Sequence, residues 1–236
     1  MRNYHEDLVA TVREATQKTT SRRGLLIGGA KLAAGGAAAM ALASSPASLL
    51  GFRNAMAQTF NGPVDVLNYA LTLEHLEATF YVQGLNQFSA TDFSGVGLSS
   101  TSYEYFGLIR DHEVTHVDTL IQVIGSLGGT PVSAAMYDFG YTDVTSFVAV
   151  AQVLENVGTG AYTGAAQFLI DNDDLLTAAL TIHGVEARHA SYLNLLNGDV
   201  PFPAAFETPL TPAEVLAAAG PLIVSNMPAT GTGSSL

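Results

Sequence analysis

The stretch Ile109-Arg110-Asp111-His112-Glu113-Val114-Thr115-His116-Val117-Asp118 combines a helical apolar period with two metal-ligating residue types, Glu113 and His116. Three residues is close to one helical turn, so the carboxylate and the imidazole leave one face and can hold one ion together. The pattern recurs as Glu186-Ala187-Arg188-His189 in another helical segment. A further carboxylate lies one helix before each copy, Glu74 before the first and Glu155 before the second. One Glu plus one Glu-x-x-His, twice over, is the ligand set of a dinuclear carboxylate site in a four-helix bundle.

The segments around these residues read as four helices. Gly62-Pro63-Val64-Asp65 opens the first, with Pro in the first turn and Asp at the positive end. The run from Val66 to Tyr81 is unbroken, and its apolar spacing places Glu74 near the buried stripe. A Ser-, Gly- and Thr-rich linker, residues 89–101, ends this unit. The second helix spans about Ser102 to Leu127, stopped by Gly128-Gly129, and a connection without period runs from Thr130 to Thr142. The third runs from an Asp143 N-cap to about Ile170. Asn172-Asp173-Asp174 closes it and caps the fourth, which ends at Leu196 before Asn197-Gly198. No alternating strand pattern interrupts the series, so the fold class is an all-α bundle.

Connection lengths set the topology. The short turn between helices three and four makes them antiparallel, and the 89–101 linker allows the same for one and two. A helix of about 25 residues is roughly 38 Å long. The connection from Thr130 to Thr142 can span about 43 Å when extended. It is therefore long enough to run the length of the bundle, giving two hairpins joined by a crossover between helices two and three. The predicted domain comprises residues 58–198, followed by a Pro- and Ala-rich tail at 199–236. In that tail Thr211-Pro212-Ala213-Glu214 reads as a capping box opening a short helix to about Ala219. Phe202, Phe206, Leu210 and Leu222 are candidates to lay the tail across the bundle.

Charge divides the chain differently. Residues 1–57 carry a net +4, and residues 58–236 carry −16 with Arg110 and Arg188 as their only Lys or Arg. Ser21-Arg22-Arg23-Gly24-Leu25-Leu26 resembles a twin-arginine export motif, a Gly/Ala-rich apolar run follows, and Ala55-Met56-Ala57 supplies a small-x-small cleavage pattern. Residues 1–57 are thus expected to be a signal peptide recognised by the twin-arginine export machinery, with Gln58 as the mature N-terminus. The expected location is periplasmic or extracellular, or membrane-anchored if the segment stays uncleaved. Lys31 and the glycines interrupt the apolar run, which argues against a stable spanning helix of roughly 20 apolar residues. The chain has no Cys, which excludes disulfides, thiolate nucleophiles and thiolate-bound metals. Two arginines cannot form a basic patch, so no nucleic-acid partner is expected.

Around the proposed ligands the two halves of the bundle match. Tyr81 follows Glu74 by seven residues and Tyr162 follows Glu155 by seven, which puts each Tyr on the face of its own Glu. Four Glu and two His make an oxygen/nitrogen set suited to Fe(II) or Mn(II), and carboxylates can bridge two ions. The alternative is four unrelated surface carboxylates on amphipathic helices, for which a single Glu-x-x-His would be weak contrary evidence. Glu77 shares the face of Glu74 and is a candidate extra ligand, an exposed Glu, or one that supports the ligands from behind. His112 and His183 flank the two motifs, His183 facing inward on this spacing and His75 outward. Arg110 and Arg188 are available to offset the carboxylates or to pair with Asp. Gly158 and Gly160, costly within a helix, leave room for close packing or a small oxidant.

At Leu67-Asn68-Tyr69-Ala70-Leu71-x-Leu73-Glu74, Glu113-Val114-Thr115-His116 and Glu186-Ala187-Arg188-His189 the chain resembles exported ferritin-like proteins related to plant desiccation-associated proteins. The segment from Phe206 to Glu214 resembles that family's tail, and the resemblance covers residues 62–197. It implies a ferritin-like four-helix bundle with two Fe or Mn ions held by Glu74, Glu113, His116, Glu155, Glu186 and His189. Oxidoreductase chemistry on O2 or peroxide, of peroxidase, oxidase or catalase type, is the implied activity in oxidative or desiccation stress. Manganese catalases share the ligand pattern. The competing class is a structural or protective stress protein without catalysis. No cage contact is readable, which leaves a homo-oligomer open.

Overall fold

The computed structural model describes residues 60–224. The predicted signal peptide at 1–57, with its twin-arginine motif and cleavage pattern, lies outside the described residues.

Four long helices form the bundle: α1 (Pro63–Gln87), α3 (Ser100–Ser126), α4 (Val144–Ala165) and α5 (Asp173–Leu196). A short α2 (Ala90–Gly95) sits between α1 and α3, and α6 (Pro212–Ala219) lies in the tail. Local side chains start most of them. Ser99, Asp143 and Asn172 each accept a hydrogen bond from a first-turn backbone N–H, and Asp143 forms a capping box with Ser146. Helix α2 falls inside the predicted linker 89–101. Ser89 and Asp92 make a reciprocal capping box there, and Phe93 is buried, which anchors one turn of helix in a polar sequence. Helix α4 also stops earlier than predicted, with its last turn tightening to a 3-10 helix at Ala166–Leu169.

The two halves pair as antiparallel hairpins, α1 with α3 and α4 with α5, and α1 also packs on α4. The connection after α3 runs back along α1. Asn68 Nδ2 donates to Thr130 O at 3.1 Å and Asn68 Oδ1 accepts from Val132 N at 2.8 Å, while His75 Nε2 lies 3.1 Å from Val132 O. Further on, the rings of Phe139 and Tyr141 pack against Phe80 with centroids 5.1 and 5.5 Å away. Phe147, at the start of α4, then stacks on Phe80 at 4.7 Å. The connection therefore traverses the bundle, and the fold is the all-α ferritin-like arrangement with a crossover. His75, placed outward by its spacing, is half-buried because this segment covers it.

Coverage by the crossover explains the different burial of the helices. Helix α1 buries residues on almost every side, whereas α3 buries one stripe: Ser102, Phe106, Ile109, Glu113, His116, Leu120 and Ile124. Spacings of three and four keep that stripe on one face, and the Glu-x-x-His pair occupies its middle. A two-residue antiparallel pairing, Met136 with Val224 and Tyr137 with Ile223, ties the tail to the crossover. Leu210 and Leu222 pack against the core, but Phe202 is 78% exposed and takes no part. No described helix is long and apolar enough to cross a membrane.

Candidate metal centre

Each long helix delivers one of the four predicted ligand glutamates to the middle of the bundle. Glu74, Glu113, Glu155 and Glu186 are fully buried, with His116 and His189 nearly so. Their donor atoms form two overlapping groups, each with all ligand atoms within 4.8 Å of one another: Glu74, Glu113, His116 and Glu186, then Glu113, Glu155, Glu186 and His189. Glu113 and Glu186 belong to both. The six residues singled out in the sequence are therefore brought together.

Both imidazoles present Nδ1 to the carboxylates. His116 Nδ1 lies 3.2 Å from Glu74 Oε2, 3.3 Å from Glu113 Oε2 and 3.2 Å from Glu186 Oε1. His189 Nδ1 lies 3.0 Å from Glu113 Oε1 and 3.2 Å from Glu155 Oε2. On its far side His189 Nε2 meets His112 Nδ1 at 2.9 Å, with the rings stacked. His112 thus supports the orientation of His189 from the exposed face. His183 lies half-buried against Thr163 Oγ1 at 2.9 Å and does not join the cluster.

The tyrosines exchange partners. Tyr81 on α1 donates to Glu155 Oε1 on α4 at 2.6 Å, and Tyr162 on α4 donates to Glu74 Oε1 on α1 at 2.5 Å. Each Tyr does share the face of its own Glu, as the spacing implies, but seven residues along a helix are about 10 Å apart, so its hydrogen bond goes to the neighbouring helix. Antiparallel α1 and α4 instead set each Tyr level with the other helix's Glu.

So many buried carboxylates hold on to protons. Burial first, and then the neighbouring carboxylates, push Glu77, Glu155 and Glu186 above the usual range, and Glu113 likewise against the opposing pull of both histidines. For the imidazoles burial works downward. It is outweighed by the carboxylates around them, which take His116 up to about 12 and His189 up to about 10. Burial and the adjoining glutamates raise Tyr81 and Tyr162, so both stay protonated donors.

Glu77 is buried beside this cluster, with Oε2 lacking any hydrogen-bond partner. Gly158 makes room for it: a Cβ there would stand 2.8 Å from Glu77 Oε1 and 3.5 Å from Glu186 Oε2. Gly160 serves the tail, since its carbonyl accepts from Leu210 N at 2.9 Å and a Cβ would stand 2.7 Å from Leu210 Cγ. Both glycines are packing positions, not openings. The two arginines stay away from the cluster. Arg110 pairs with Asp111 at 2.8 Å, and Arg188 donates to Gly184 O at 2.7 Å.

The donor set fits divalent metal. Glu186 Oε2 is buried with no donor near it, and Glu113 Oε1 and Glu186 Oε1 have within reach only the Nδ1 atoms that His189 and His116 share among several carboxylates, so the chain does not fully satisfy these oxygens. Cations placed among them would do so, and oxygen-rich sites with imidazole suit Fe or Mn.

Fold and cluster together define a ferritin-like bundle whose buried Glu and His groups are compatible with metal binding. The ferritin-like domain family matches residues 62–199, and the chain belongs to that family. Protein rds1 of Schizosaccharomyces pombe is 31% identical over 163 residues, covering 67% of this chain and 38% of that protein. The chain thus spans well under half the length of that relative. A crystal structure of a conserved hypothetical protein, rv2844, from Mycobacterium tuberculosis shares 21% identity at a TM-score of 0.45, covering 67% of this chain and 99% of the other.

Proposed function

We propose that the chain is an exported oxidoreductase with a dinuclear Fe or Mn carboxylate centre that reacts with O2 or peroxide in oxidative or desiccation stress. The observation that carries this reading is the pair of overlapping ligand groups sharing Glu113 and Glu186. In that reading Glu74 and His116 would hold one ion and Glu155 and His189 the other, with Glu113 and Glu186 available to both. Bound Fe or Mn would supply the electrons for reduction of O2 or peroxide.

The protein's own side chains prepare the site. Tyr81 and Tyr162 each occupy one oxygen of a terminal glutamate, which leaves the other oxygen turned toward a histidine. His112 orients His189 through its outer nitrogen, the kind of support that fixes a ligating imidazole. The aliphatic and aromatic shell excludes water, and the absence of Lys or Arg from the cluster leaves the carboxylates to be neutralised by metal. Export by the twin-arginine route, which carries folded proteins, suits a protein that loads metal first.

Metal analysis of the purified protein, followed by O2 and peroxide consumption assays on wild type and Glu113→Ala, tests the proposal. Two Fe or Mn per chain, with metal and activity lost together in the variant, is the expected result. A folded, metal-free protein whose thermal stability does not change with Fe(II) or Mn(II) would support a structural or protective role instead, because binding to the native state must raise stability.

A further inference from the structure

The two exchanged tyrosines match in hydrogen bonding and differ in surroundings. Tyr81 is enclosed by aromatic rings, with Phe80, Phe106 and Phe147 centred 5.1, 6.0 and 6.3 Å away. Tyr162 instead forms part of the wall of a cavity of about 40 Å³. Ala70, Leu120, Ala166 and Ile182 line that cavity. In sequence they lie four residues from Glu74, His116, Tyr162 and Glu186 respectively, each toward the same end of the bundle. The cavity therefore lies one helical turn from a cluster ligand on α1, α3 and α5, and one turn from Tyr162 on the α4 side.

Its chemistry is aliphatic. The hydroxyl-bearing wall residues already use their protons, Thr119 donating to Thr115 O at 2.7 Å and Tyr162 to Glu74 at 2.5 Å. A second recess of about 120 Å³ shares Tyr162, Ala166 and Ala179 with the first and adds Thr163, Leu180 and His183. Leu180 is 52% exposed, so this recess reaches solvent. There the one imidazole and the one further hydroxyl bond each other at 2.9 Å.

We infer that the two recesses form an entry path for dioxygen to the Tyr162–Glu74 side of the centre. The inference rests on the proposed function and narrows its oxidant to O2. By the same measure one water-sized body needs about 10–15 Å³, so the inner cavity has room for a diatomic guest. Dioxygen gives up no hydrogen bonds on entering aliphatic walls. Hydrogen peroxide would leave its two donors unpaired there. The aromatic closure around Tyr81 makes the path one-sided.

Xenon, an apolar probe of similar bulk, tests the path without chemistry. Xenon NMR and xenon-pressurised crystals of Co(II)-loaded protein should place xenon beside Tyr162 in the wild type and lose it in Ala179→Leu, which fills the shared wall. The reaction of O2 with the Fe(II)-loaded variant should slow by about tenfold or more, equivalent to one decade in rate constant. Co(II) affinity and the peroxide rate should stay near wild type. Ala166→Val, a smaller intrusion on the same wall, serves if Ala179→Leu does not fold. An empty cavity in the xenon-treated wild type, or an O2 rate unchanged in the filled variants, overturns the inference. Failure to bind Co(II) overturns the dinuclear reading itself, and the entry path with it.

Discussion

In its metal-free form this protein should lose stability as pH rises from about 5 to about 8. In the metal-free cluster Glu77, Glu113, Glu155 and Glu186 hold protons above the usual carboxylate range, and His116 and His189 above the usual imidazole range. Every one of these shifts is upward, and they outnumber the opposing downward shifts that burial gives His75 and His112, so the native state binds more protons than the unfolded chain. Stability then falls with rising pH. The loss begins near the unfolded carboxylate value of 4.5 and continues past the imidazole value of 6.5 toward about 10, where His189 releases its proton. One extra proton retained across about three pH units corresponds to about 4 kcal/mol, at about 1.4 kcal/mol per unit. For a domain of this size that lowers Tm by roughly 8–16 °C. Circular dichroism melts of chelator-treated protein across this pH range measure it directly. Saturating Co(II), at about 100 times its Kd, should add about 3 kcal/mol and flatten the pH slope, because the metal displaces the protons. A metal-free Tm that is constant or rises over this range would refute the account of the cluster.

Other consequences are local. Tyr81→Phe removes the donor 2.6 Å from buried Glu155 Oε1 and should cost about 1–3 kcal/mol in denaturant unfolding of the metal-free protein; unchanged stability would contradict the exchanged pairing. Gly158→Ala puts a Cβ 2.8 Å from Glu77 Oε1, and the crowding should cost about 1–3 kcal/mol and weaken Co(II) binding in a titration, whereas wild-type affinity would mean Glu77 has room to withdraw. Joint replacement of Arg22 and Arg23 by Lys should leave precursor in the cytoplasm, seen by fractionation. Unaltered export would point to another route.

Residues 60–224 show how far local pattern reaches. The Glu-x-x-His pairs were legible because three residues along a helix always share a face, whatever the helix packs against. The buried stripe of α3 and the caps at Asp143 and Asn172 are equally local, set by spacing and by one side chain reaching one backbone N–H. Convergence of Glu74 and Glu155 on those pairs was readable as a repeated motif, since a bundle offers such carboxylates one shared interior.

Contacts between helices distant in sequence were decided only by the tertiary structure. Neither tyrosine's partner is on its own helix, because the pairing depends on the antiparallel register of α1 against α4. The fates of Gly158 and Gly160 depend on what α4 meets, a buried Glu77 at one position and Leu210 of the tail at the other. His75 turned from an outward residue into a contact of the crossover, because an irregular segment without period lies over it. The cavity beside Tyr162 has no counterpart in any motif. It is the space left where alanines and aliphatic side chains from four helices fail to meet, and such a volume is set by the packing of the whole bundle.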